Sequence, residues 1–125
     1  MFQLDFKSGV PICDQIVNGF IKLKALGILK AGDQLPSVRV LASKFSVNPN
    51  TVQKSYAMLE ANGIIYSVKG KGSFISGDEN AANAILIAAK QDFAVAVRKA
   101  CELGLSTDEM IHLVKEATTK EDTHK

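Results

Sequence analysis

Apolar positions along this chain alternate between helical stripes and short β runs, and each run is closed by Gly, Pro or a capping residue. The lead from Met1 to Lys7 places Phe2, Leu4 and Phe6 at every second residue, the pattern of a strand or of an extended arm packed on the body. After Ser8-Gly9-Val10, Ile12, Ile16, Phe20, Leu23 and Leu26 recur at helical spacing, which predicts a core-facing helix from Pro11 to about Leu26 stopped by Gly27. A connector follows, with a turn at Ala31-Gly32-Asp33; its apolar pair Ile28-Leu29 is expected to lie as a short strand beside a later hairpin. Ser37 then caps a short helix that turns Val38, Leu41, Ala42 and Phe45 inward.

Ser46-Val47 makes a tight turn, Asn48 caps the next helix and Pro49 takes its first position. That helix runs to about Asn62, with Val52, Tyr56 and Leu59 on one face and Gly63 as its stop. Two short apolar strands, Ile64 to Val68 and Ser73 to Ser76, flank Lys69-Gly70-Lys71-Gly72. From Asp33 to Gly72 the order is therefore helix, tight turn, helix, hairpin, which is a winged helix-turn-helix and points to sequence-specific binding of double-stranded DNA. Beyond Gly77-Asp78 a long helix is expected from Glu79 to Leu103, ended by Gly104. A second follows the capping box Ser106-Thr107-Asp108-Glu109, before a polar tail, Lys120 to Lys125, that frays. The fold class is mostly α with a small β-hairpin: a winged helix-turn-helix over residues 1–77 and a short two-helix region over 78–125.

Two helices alone bury apolar surface poorly. Ile85, Leu86, Ala89, Phe93 and Val97 on the first, with Met110, Leu113 and Val114 on the second, form a face whose most economical partner is a second chain, so a homodimer is expected. Charge divides the same way. Residues 1–77 carry nine Lys/Arg against four Asp/Glu, whereas residues 78–125 carry six against nine, so a basic front half precedes an acidic rear half.

Other chemistries fit less well. Cys13 and Cys101 lack metal or redox spacing and are expected to be small buried apolar residues, with no metal and no cofactor. No HExxH or GxSxG occurs, and His112 and His124 are read as surface histidines, so the chain is not expected to be an enzyme. A phosphate-binding P-loop fails because Ile65 stands where its first Gly belongs and Gly72 where Ser or Thr belongs. The opening residues show no leader pattern, and no apolar run approaches about 18 residues. A cytoplasmic protein without a membrane partner is the expectation.

Leu35-Pro36-Ser37-Val38-Arg39-Val40-Leu41-Ala42 and Val47-Asn48-Pro49-Asn50-Thr51-Val52-Gln53-Lys54-Ser55-Tyr56 resemble the GntR family of bacterial transcription regulators. The likeness continues at Pro11-Ile12, Gln15-Ile16, Gly32-Asp33, Leu59-Glu60, Gly63-Ile64 and Gly70-Lys71-Gly72-Ser73-Phe74, and so covers about residues 10–76. The Asn48-Pro49-Asn50-Thr51 start and the short helical tail resemble its YtrA-type subfamily. The resemblance implies a homodimeric winged-helix repressor, often of a transporter operon. Val38 departs from the Glu common in relatives, and Pro49 and Gln53 stand where larger relatives carry Arg, so those relatives' base contacts are not transferred.

On this basis the helix starting at Asn48 is the recognition helix. Asn48, Asn50, Thr51, Gln53 and Lys54 face DNA, since Asn and Gln pair bidentately with adenine and Thr meets phosphate or a thymine methyl. Arg39 matches a DNA-contacting arginine of the family. Lys69 and Lys71 on the wing, with Gly70 allowing close approach, reach the neighbouring minor groove. Ser37 and Asn48 serve as caps with or without DNA. The alternative is a winged helix used as a protein-protein interaction module without DNA binding. An effector is not identified by these residues, and the positions near Phe93, Met110 and His112 are where a small one would sit.

Overall fold

The computed structural model describes the backbone of residues 1–122 and the side chains of residues 1–119; of the expected frayed tail, residues 120–122 continue the last helix in backbone, and residues 123–125, His124 among them, lie outside the described residues. Contacts divide the chain into two compact units, Met1–Ala84 and Ile85–Lys125. No helix among the described residues is long and apolar enough to cross a membrane.

The first unit contains α1 (Ile12–Ala25), α2 (Val38–Phe45), α3 (Pro49–Ala61), β1 (Ile65–Val68) and β2 (Gly72–Ile75). Helices α1 and α2 both pack on α3, as their stripes require. Ile16 and Phe20 of α1, Leu41 of α2, and Val52 and Leu59 of α3 are wholly buried, and Ile64 and Ile75 close the core from the hairpin side. Ser55 is the one buried polar side chain among the described residues. Its hydroxyl lies 2.9 Å from the Thr51 carbonyl and 3.1 Å from the Cys13 carbonyl, so its desolvation is offset by hydrogen bonding that joins α3 to α1. The Tyr56 hydroxyl donates to the Pro36 carbonyl at 2.7 Å, and burial pushes its pKa above the usual phenol range.

The amino-terminal lead forms no strand. Phe2 packs edge-on against Phe20 with ring centroids 5.1 Å apart, and also meets Phe45 at 5.3 Å. Gln15 pins the arm: its Oε1 accepts the Asp5 N–H at 2.8 Å, and its Nε2 donates to the Asp5 carbonyl at 2.8 Å and the Val10 carbonyl at 2.9 Å. Phe6, expected to share the packed side, is instead 65% exposed, because the chain turns at Asp5–Ser8.

The hairpin pairs Ile65 with Ile75 and Val68 with Gly72. Its third, strand-like neighbour is not Ile28-Leu29. Residues 32–35 take that place, through Gly32 N–H to the Ile75 carbonyl, Ile75 N–H to Asp33 and Leu35 N–H to Ser73, each at 2.8 Å. The Gly27 turn leaves Ile28 62% exposed, away from β2.

Helices α1, α2 and α3 end in the same motif, a 6→1 hydrogen bond wrapped around a residue of positive φ. After α1 and α3 that residue is glycine, but after α2 it is Ser46, at φ 56° and ψ 45°. The left-handed conformation costs an L-residue about 1–2 kcal/mol, and part of any gain from glycine is lost to unfolded-chain entropy. Ser46→Gly is therefore expected to stabilise the first unit by about 0.5–1 kcal/mol and raise Tm by a few degrees. A thermal melt showing no increase would mean that the turn carries no such strain.

The second unit holds the body of α4 (Glu79–Glu102) and α5 (Thr107–Asp122). The Ser106 hydroxyl accepts the Glu109 N–H at 3.1 Å while Glu109 accepts the Ser106 N–H at 3.0 Å, the reciprocal capping box. Hydrogen bonds from the Ser106 backbone, and then from its side chain, hold the exposed Glu109 carboxyl below its usual pKa. No side chain of α4 is buried. Cys101 is accordingly exposed rather than buried as expected, and Cys13 is half-buried.

Candidate nucleic-acid interface

Helix α3 separates its residues cleanly. Val52, Ser55, Tyr56 and Leu59 are buried against the body. Asn50, Gln53 and Lys54, spaced i, i+3 and i+4, are exposed along one stripe on the other side. Asn48 is also exposed, and Thr51 is half-buried. The helix start is fixed before any ligand arrives: the Asn48 Oδ1 accepts the Asn50 N–H at 2.8 Å, and Pro49 occupies the first turn. Ser37 does the same for α2, accepting the Val40 N–H at 3.2 Å, and leaves Arg39 exposed in the first turn.

The electrostatics of the helix starts differ across the chain. Helices α1, α4 and α5 each carry an acid in their first turn, Asp14, Glu79, and Asp108 with Glu109. Such acids offset the positive end of the helix dipole. Helices α2 and α3 have none, so their amide-rich positive ends remain uncompensated by side-chain charge. This signal is visible in the sequence once the helix starts are known, although motif reading alone passes over it.

At the wing, Lys69, Gly70 and Lys71 span the paired residues Val68 and Gly72 and are all exposed. The Lys71 N–H donates to the Val68 carbonyl at 2.9 Å, and Gly70 sits at φ 78°, the third position of a turn that requires positive φ. The sequence gives no sign of one further contact: Gln34 Nε2 donates to the Lys71 carbonyl at 2.8 Å. Because residues 32–35 lie along β2 and lead into Pro36 and Ser37, the wing is tied to the start of α2.

In the second unit an apolar cleft of about 330 Å³ is lined by Phe93 and Val97 of α4 and by Thr107, Met110, Ile111, Val114 and Lys115 of α5. It gathers four of the expected dimerisation residues, Phe93, Val97, Met110 and Val114, and adds Ile111. Ile85, Leu86 and Ala89 lie outside its lining, and Leu113 lines a neighbouring hollow with His112. The exposed apolar surface is wider than one stripe, for Ile87 and Val95 are 54% and 56% exposed on other sides of α4. His112 lies 3.8 Å from Glu116, both largely exposed. Among the described residues no cluster of metal-ligating side chains occurs.

Comparison with known proteins converges on one group. Residues 24–75 match the family described as bacterial regulatory proteins, gntR family. The HTH-type transcriptional repressor YtrA of Bacillus subtilis is 49% identical over 81 residues, covering 65% of this chain and 61% of the repressor. The uncharacterised HTH-type transcriptional regulator YhcF of the same organism is 33% identical over 114 residues, covering 90% of this chain and 94% of YhcF. A solved GntR family transcriptional regulator from Listeria monocytogenes superposes with a TM-score of 0.70 at 37% identity, covering 89% of this chain and 98% of that one.

Proposed function

Because this chain belongs to the GntR family of bacterial regulatory proteins, with a winged helix-turn-helix that binds DNA, we propose that it acts as a homodimeric repressor on a pseudo-palindromic operator. Residues 1–77 are the DNA-binding domain and residues 78–125 the dimerisation region. Helix α3 enters the major groove with Asn50, Thr51 and Gln53 toward base edges and Asn48 and Lys54 near the backbone. Arg39 and the capped start of α2 at Ser37 take phosphate, and Lys69, Gly70 and Lys71 approach the adjacent minor groove. The carrying observation is the pair of helix starts without acids, joined to an exposed polar stripe on α3. A positive helix end with polar neighbours fits a polyanion; an apolar or acidic surface there would favour a protein partner.

Pairing through Ile85, Leu86, Ala89, Phe93, Val97, Met110, Leu113 and Val114 presents two recognition helices, so the half-sites lie about one helical turn apart. The proposed role is binding, without catalysis, in the cytoplasm. A transporter operon is the target class the family resemblance implies.

Selection of bound duplexes from a random pool, followed by gel shifts over a salt series, tests the proposal. An inverted repeat with steep salt dependence is expected. Absence of duplex binding even at low salt would refute it. On the selected duplex, Gln53→Ala is expected to relax preference at one base-pair position per half-site by about 1–3 kcal/mol. An unchanged preference would remove Gln53 from the base-reading set.

A further inference from the structure

We infer that Gln34 is a positioning residue for the wing, holding the Lys69–Lys71 loop so that both lysines are presented to DNA. The inference rests on the wing's proposed contact with DNA and adds the residue that orients it. The loop itself is weakly constrained. It projects beyond the last paired residues, Val68 and Gly72, and its only backbone closure among the described residues is the Lys71 N–H to the Val68 carbonyl. Gln34 supplies a second tether from 37 residues earlier, donating its carboxamide N–H to the Lys71 carbonyl at 2.8 Å.

Gly72 is shaped to that contact. A Cβ there would stand 2.8 Å from Gln34 Nε2, so the carboxamide occupies the space the absent side chain leaves. The backbone beneath Gln34 is itself fixed. Gln34 bridges Phe74, Leu35 is 4% exposed, and the next carbonyl, Pro36, accepts the Tyr56 hydroxyl of α3. Gln34 therefore runs as a strut from a segment anchored on the recognition helix to the wing tip. A loop already held in its bound orientation loses less freedom on association, and that saving appears as affinity.

The test uses the full chain with double-stranded DNA of random sequence at low salt. Gln34→Met keeps the side-chain length but removes the donor, at an exposed position. It is measured alone and combined with Lys69→Ala/Lys71→Ala as a double-mutant cycle. Gln34→Met is expected to weaken binding about 2- to 10-fold with the thermal melt unchanged. In the background lacking both wing lysines it is expected to have no effect, because the wing has no charge left to position. An equal loss in both backgrounds would overturn the inference, since Gln34 would then act on DNA directly or through the fold. If the lysine variant weakens binding while Gln34→Met does not, the inference alone is overturned. If the lysine variant binds like the parent, the wing's proposed role fails and the inference with it.

Discussion

Glutamate at Phe93 and Val114 together is expected to convert the protein to a monomer of 13.4 kDa and to weaken its binding to a two-half-site duplex by about 10²- to 10⁴-fold. Both side chains line the apolar cleft between α4 and α5, and they are 58% and 42% exposed within one chain. A soluble chain leaves so much apolar helix surface uncovered chiefly where another surface meets it. A carboxylate placed in that surface harms the single chain little, because nothing in it is buried there, yet it must be desolvated when a second copy docks. The effect on DNA is then one of linkage. A dimer that has seated one recognition helix holds the other at high effective concentration over the second half-site, and a monomer does not. Sedimentation and binding to a single half-site separate the causes. Single-site affinity is expected to stay within a few-fold of the parent's, and a variant that still sediments as a dimer would move the interface elsewhere.

Much of the first unit was legible because local chemistry decides its boundaries. Ser37 and Asn48 announce helix starts that their side chains do cap, and in the second unit Ser106 with Glu109 likewise spells a capping box that forms. The misplaced third strand shows where such reasoning stops. Ile28-Leu29 and Gln34-Leu35 are both short runs with an apolar member. Which one lies beside β2 is decided by the Gly27 turn and by hydrogen bonds to Ser73 and Ile75, some forty residues away in the chain. Gln34's contact with Lys71 was hidden for the same reason. The exposed polar stripe of α3 was legible because helical periodicity alone separates Asn50, Gln53 and Lys54 from the buried Val52, Tyr56 and Leu59. Cys101 departs from expectation because cysteine is usually buried, and that habit fails on α4, none of whose side chains is fully buried.

Removing three cations at once, as Arg39→Ala/Lys69→Ala/Lys71→Ala, is expected to flatten the salt dependence of DNA binding as well as weaken it. Each phosphate neutralised by a side chain contributes about 0.9 to the slope of log K against log salt, so three lost contacts lower its magnitude by about 2.7. Extrapolated from 1 M salt to 0.1 M, the same counterion release is worth on the order of 10²- to 10³-fold in affinity. All three side chains are exposed, and none forms an ion pair among the described residues, so the fold has little reason to respond. The slope distinguishes roles that affinity alone confuses. Removing a residue that reads a base lowers affinity for the preferred sequence and leaves random duplex nearly unaffected, whereas removing a phosphate contact weakens both alike. A slope reduced by only about 0.9 would assign one of the three to phosphate and leave the others to solvent. An unchanged slope would take the wing and the start of α2 off the DNA, leaving α3 as the only element still placed against the duplex.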